Sequence, residues 1–219
     1  MPTDRLLALA GLGLSLFLLA RFLPSAWRAW QIYGGVRNRR LADAGPLEVP
    51  APPLVRERLD ELARLGFSRI GERYLKLPGT PIRHEWVVGE PSGEAYVVVV
   101  PVGSLSAIVA FYSSFDDSTW VQTNFPRGAV VDRPGFQASF VATSLADALA
   151  THRATVARLR ASHGPARQIR TMADTLRMDA DFRTHHGGLT LRPLTIRLVT
   201  PAIAAGLLAV ISALLLLGR

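Results

Sequence analysis

His84 and Glu85 are the residues at which a reading for chemistry begins. A His-Glu pair opens the zinc-protease pattern His-Glu-x-x-His, in which two imidazoles on one helix face hold the metal. Here the fifth position is Val88, and the surrounding alternation of apolar and polar residues predicts a strand, so the pattern is absent. His152 and His163 would share one face of a helix but stand about 16 Å apart along its axis, too far to share a metal. His152 falls in an apolar stripe, where a core histidine with satisfied ring nitrogens is expected. His185 and His186 precede two glycines and suit a helix C-terminus, where cationic side chains meet free carbonyls; a labile metal or a pH-sensing role is the alternative. Asp116 and Asp117 look like a carboxylate pair, but they sit where a hairpin must reverse, and Asp is a turn residue. Gly103-Ser104-Leu105-Ser106 lacks the second glycine of a nucleophile elbow. Glycine-rich dinucleotide and phosphate loops are absent. Thr119, Trp120, Gln122, Thr123 and Asn124 form a polar-aromatic strand able to line a pocket. The polar groups around His84, Glu85, Thr123 and Asn124 are therefore the candidate pocket. No catalytic residue, metal ligand or cofactor is assigned.

Positioning such groups falls to a chain with two apolar ends. Leu198 to Leu217 is a run of twenty residues without a formal charge. As a helix it would measure about 30 Å, the thickness of a bilayer core. Leu6 to Ala20 is a second uncharged run, extended by Arg21, Phe22 and Leu23 and closed by Pro24. Arg21 can snorkel, which brings the segment to about eighteen residues. A cleaved signal peptide is the rival, but MPTDR is a weak basic region and no clean small-residue cleavage site follows. Trp27, Trp30 and Tyr33 recur every three residues and fit a headgroup belt. Arg37, Arg39 and Arg40 then form a basic stretch that attracts anionic lipid headgroups.

The 219 residues carry a formal net charge of +8, with Lys76 the one lysine among 25 basic residues. Arginines crowd the inner flanks of the two apolar runs (Arg21, Arg28, Arg37, Arg39 and Arg40; then Arg177, Arg183, Arg192 and Arg197), while Arg5 and Arg219 stand alone outside. The positive-inside rule places the central region in the cytoplasm and both termini outside. This placing of charge points to a membrane surface rather than nucleic acid. With no cysteine, disulfides and thiolate chemistry are excluded.

The organisation expected is a short outer tail (1–5), a transmembrane helix (6–23), a basic, proline-rich juxtamembrane linker (24–53), an α+β domain (54–188), a connector (189–197) and a second transmembrane helix (198–217). Within the domain, Val55, Leu59 and Leu62 mark a helix over 54–65 with Gly66 after its end. Period-two segments at 67–77, 82–88, 94–101, 105–115, 118–125 and 136–142 predict an antiparallel meander of five to six strands. Helices follow over 145–163, capped by Ser144, and over about 166–184. In the last apolar run Ala205, Ala209 and Ala213 recur every four residues beside Gly206, and Gly11 and Ser15 offer a matching pair, so the ends are expected to pack together or to drive self-association.

These features predict a multi-pass protein of a bacterial inner membrane. Its cytoplasmic domain would bind a ligand or partner without catalysis, and a membrane-protein partner fits the small-residue helix face. The alternatives are a membrane-surface enzyme and a structural subunit of a membrane complex.

Overall fold

Strand β4 (Tyr96–Val102) is apolar on both sides, and a sheet builds outward from it. The computed structural model describes residues 3–37, 40–43, 50–76, 82–103, 105–186 and 192–217. They divide into two units: a helical pair, α1 (Thr3–Arg37) with α5 (Arg192–Leu217), and a sheet unit that holds everything between.

The sheet unit contains β1 (Arg40–Asp43), α2 (Pro53–Arg64), β2 (Ser68–Lys76), β3 (Arg83–Gly89), β4, β5 (Ser106–Ser114), β6 (Trp120–Phe125), β7 (Val131–Arg133), β8 (Phe136–Phe140), α3 (Leu145–His163) and α4 (Met172–His186). The strands lie in the order β1-β2-β3-β4-β5-β6-β8-β7. β2 to β6 run antiparallel as expected and β1 adds an antiparallel edge strand that was not, but β6 and β8 are parallel, so the sheet is mixed rather than a pure meander. The three residues of β7 cause the difference. They form an edge strand antiparallel to β8, and this extra reversal returns the chain in the direction of β6. A strand of that length leaves no periodicity to read.

Helices cover both faces. Val55 and Leu62 of α2, with Leu145, Ala148 and Leu149 of α3, pack against Trp86, Val88, Val97, Val99, Val109 and Phe111. On the other face Met172 and Met178 of α4, with Ile169, pack against Val87, Tyr96, Val98 and Trp120. Each such side chain, fully buried, contributes about 1.5–3 kcal/mol, which explains why β4 carries no polar residue in its first five positions. Gly66 follows α2 with φ +93°, a left-handed conformation that glycine adopts without strain. α3 begins where Ser144 Oγ accepts a hydrogen bond from Asp147 N at 3.0 Å.

α4 starts six residues later than the apolar spacing suggested. Residues 166–170 run along the sheet instead, with Arg167 N bonded to Ser114 O and Ile169 N to Gly93 O. The helix is then nucleated by a reciprocal cap: Asp174 N donates to Thr171 Oγ1 and Thr171 N donates to Asp174 Oδ2.

In the helical unit α1 does not stop at Pro24 but continues to Arg37. The proline removes one backbone donor, and helix takes up much of the stretch expected as linker. β1 lies within that stretch too. Likewise α5 starts at Arg192, inside the expected connector. α1 is long and apolar enough to cross a bilayer, over Leu7–Pro24 with mean hydropathy 1.9. In α5 the apolar stretch among the described residues is the shorter Thr200–Leu216, so one candidate span stands where two were expected.

The two helices contact each other through small residues. Ala8, Ser15, Ala202, Ala205 and Ser212 are buried, and a Cβ on Gly11 would meet Ser212 Oγ at 2.8 Å. Ala205 and Ala202 lie about 10 and 15 Å from Ser212 toward the start of α5, so both reach α1 when the helices run antiparallel. Ala209, Gly206 and Ala213 are half-buried, and a Cβ on Gly206 would meet nothing within 4 Å. Leu7, Leu14, Phe17, Leu207, Ile211 and Leu214 are exposed. The pair is thus small inside and greasy outside, the reverse of a water-soluble helix pair.

Candidate ligand-binding site

Alternation along β2 and β3 sorts the charged residues onto two faces. Registry pairs Glu72 with Trp86, Tyr74 with His84 and Arg73 with Glu85. Since Trp86 packs under α2 and Val87 under α4, Arg69, Glu72, Tyr74 and His84 share the α2 face, while Arg73 and Glu85 share the α4 face.

On the α2 face a cavity of about 390 Å³ opens between the helix and the sheet. Leu59, Asp60 and Ala63 of α2 form one wall, Phe67, Trp86 and Val88 the other, and Pro50 and Ala51 the rim. Arg69 and Glu72 also line it. Glu72 is 3% exposed. Its Oε1 is held by the Arg69 guanidinium, whose side chain is 67% exposed. Its Oε2 lies 3.0 Å from His84 Nε2, within ion-pair distance but without hydrogen-bond alignment. Tyr74, His84 and Trp86 stack across the two strands at centroid distances of 4.7 and 4.4 Å, which fixes the imidazole beside the carboxylate. An apolar pocket with a few convergent polar groups is the usual form of a small-molecule site.

The four residues of the sequence-derived pocket do not converge. His84 and Glu85 are consecutive in a strand and point to opposite faces. Glu85 is bound by Arg73 Nε at 2.9 Å and by Arg83 Nη2 at 2.6 Å. Thr123 shares the His84 face but lies three strands away, about 14 Å by strand spacing. Asn124 points to the other face and is bonded by Gln122 Nε2 at 2.9 Å. Of the four, His84 alone stands against Glu72, one of the cavity residues.

Thr123 belongs instead to a buried polar chain through α3. His152, 1% exposed, places Nε2 3.0 Å from Ser113 Oγ and Nδ1 3.1 Å from Thr123 Oγ1. Ser113 Oγ donates to the Glu94 carbonyl at 2.6 Å. A carbonyl only accepts, so the Ser113 proton is committed there and His152 Nε2 must be the donor to Ser113. Nδ1 then accepts from Thr123, whose oxygen accepts from Ser139 Oγ at 3.2 Å. Both ring nitrogens and both hydroxyl protons are used, and Ser113 has no proton to give to the imidazole. Burial, with a smaller contribution from the Arg153 charge, pushes the His152 pKa down to about 3.

Buried charge on the α4 face is likewise committed. Desolvation alone would lower the Arg73 pKa, but the charges of Glu85, Tyr96 and Asp179, with the Glu85 hydrogen bond, together outweigh it and raise it. Burial raises the Tyr96 hydroxyl, which lies beside Arg73. Asp179 pairs with Arg183 at 3.2 Å.

At the β5–β6 turn, Asp117 accepts from His163 Nδ1 at 2.6 Å and from Thr119 N at 3.0 Å. Its slight burial works upward, but these hydrogen bonds outweigh it and hold the carboxyl below the usual range. Asp116 and Asp181 are bridged by Arg167, and His186 Nε2 bonds Ser118 O at 2.9 Å. The Asp pair thus ties the turn to α3 and α4. Among the described residues no cluster of three His or carboxylate groups is arranged to hold a metal ion.

Of the residues expected at a membrane interface, Trp27 is exposed on α1. Trp30, Tyr33 and Arg37 lie on the same helix and Arg40 opens β1, but their side chains, like Arg39 as a whole, lie outside the described residues.

The cavity residues Arg69, Glu72 and Trp86 escaped the motif reading because no spacing rule connects them. One trace was available: Glu72 shares the strand parity of Tyr74, on a face that registry turns toward α2. No family model, curated protein or solved structure matches the chain.

Proposed function

We propose that this chain is a two-pass membrane protein of bacterial inner-membrane type, whose α+β unit stands in the cytoplasm as a non-catalytic binding module for a small ligand. The observation that carries the binding reading is the cavity under α2, with one aromatic wall and a buried carboxylate at its side. Three features support the rest. The helical pair turns its large aliphatic side chains outward. The arginines crowd the inner flanks of both apolar runs, the positive-inside arrangement. The polar groups that catalysis would recruit, Ser113, His152 and Glu85, are committed to internal partners. Interaction with anionic headgroups through Arg37, Arg39 and Arg40 belongs to the same reading.

The test is a thermal-shift screen of small aromatic compounds against the full chain in detergent, run in parallel on Ala63→Trp. Ala63 is an exposed α2 position on the cavity wall, so the substitution fills the cavity and leaves the core intact. Compounds that stabilise the parent chain and not the filled variant are the expected result. Equal shifts in both, or none in either, contradict the reading.

A further inference from the structure

Building on the reading of the cavity as a binding site, we infer that its ligand carries a primary-amine or guanidinium head on a small apolar body, and that this head takes the place of Arg69 on Glu72. Three observations lead there.

The two members of the Arg69–Glu72 pair are unequally placed. Glu72 is held inside the sheet unit, whereas the Arg69 side chain is two-thirds exposed and free to swing into water. When the pair opens, the arginine leaves and the carboxylate stays.

Next, Glu72 is not fully satisfied. Its Oε2 accepts no hydrogen bond despite the nearness of His84. A buried acceptor left unfilled is costly, and a buried carboxylate without a cation more so. An occupant that displaces Arg69 must therefore bring its own positive N–H donors. An anionic head would leave Oε1 without a donor, and a neutral head would leave it without the cation that Arg69 supplied.

The surroundings favour a cation as well. Asp60 adds a second carboxylate at the α2 wall, and Phe67 and Trp86 offer aromatic surface of the kind that attracts cations and apolar bodies alike. Once Arg69 has moved out, no other cation lines the cavity among the described residues. Arg69 then acts as an internal stand-in for the ligand head and holds the empty site together.

The experiment uses the full chain in detergent and three probes of one shape and different charge: phenethylamine, phenethyl alcohol and phenylacetate. Affinities are measured by calorimetry for the parent chain, Arg69→Ala, Glu72→Gln and the filled variant Ala63→Trp. Phenethylamine is expected to bind best and to be lost from Ala63→Trp. Arg69→Ala should tighten it severalfold by removing the competitor, and Glu72→Gln should weaken it by about tenfold or more, the value of a charge-assisted hydrogen bond. Arg69 is exposed, so its variant keeps the test decisive if Glu72→Gln does not fold. Phenylacetate binding that Arg69→Ala abolishes would overturn the cationic assignment while leaving the cavity a binding site. Equal binding of the alcohol and the amine would do the same. No binding of any probe to the parent chain or to Arg69→Ala would overturn both the assignment and the binding reading.

Discussion

A Cβ placed on Gly11 would stand 3.8 Å from the Cβ of Ser212. That is the mean Cβ separation of a disulfide, and the chain has no cysteine to compete. The double substitution Gly11→Cys with Ser212→Cys should therefore close an intrachain disulfide under mild oxidation, seen as a mobility shift that reductant reverses. Gly11→Leu should have the opposite effect on the helical pair. Its side chain would enter space already held by Ser212, and a cross-link between cysteines placed at Ala8 and Ser212 should form more slowly in that background.

His152 gives the sheet unit a pH dependence with a definite sign. Its folded-state pKa is pushed down to about 3 from an ordinary 6.5. Between those values the unfolded chain binds a proton that the folded chain refuses. Stability contributed by the neutral imidazole is thus fully present above pH 6.5 and falls as pH drops toward 3, by up to about 1.4 kcal/mol per pH unit. Urea unfolding in detergent across this range should show that slope in the parent chain and lose it in His152→Gln. Carboxylates such as Asp174, held low by the Thr171 hydrogen bond, act in a separate window below their usual range.

Arg73 and Glu85 are both nearly inaccessible and 2.9 Å apart. Glu85→Gln should destabilise the sheet unit by about 3–5 kcal/mol, because a buried guanidinium loses its counter-ion. Arg73→Met combined with Glu85→Leu should recover most of that loss. A double-mutant cycle by denaturant unfolding measures the coupling.

The reciprocal cap at the start of α4 makes a smaller prediction. Thr171→Ala should cost about 1 kcal/mol. Asp174→Ala made on top of it should cost less than it does alone, since Thr171 Oγ1 also donates to Asp174 Oδ2 at 2.8 Å, a bond that either substitution removes.

Much of the architecture was legible in the sequence where periodicity was strong. Val55, Leu59 and Leu62 announced α2, Ser144 marked the start of α3, and the segment at 94–101 announced β4. Legibility ended where local signals were overruled or too short. Three residues of β7 carry no pattern, yet they decide that β6 and β8 run parallel. Ile169 has helical spacing to Met172, but its backbone N–H goes to Gly93 O on the sheet. Pro24 reads as a stop, yet α1 continues through it. The candidate site fared worse, for a reason of geometry. Adjacent strand residues face opposite ways, so His84 and Glu85 could never act together. The partner His84 does have, Glu72, is twelve residues distant and becomes its neighbour through the β2–β3 registry.

The most direct measurement of the membrane-anchored reading uses a single cysteine at Ser92, an exposed position in the turn between β3 and β4. The otherwise cysteine-free chain makes the label specific. In bacterial cells that express the chain, a membrane-impermeant maleimide should leave Ser92→Cys unmodified until the inner membrane is opened, and then label it fully. Labelling in intact cells would place the sheet unit outside and contradict the cytoplasmic assignment.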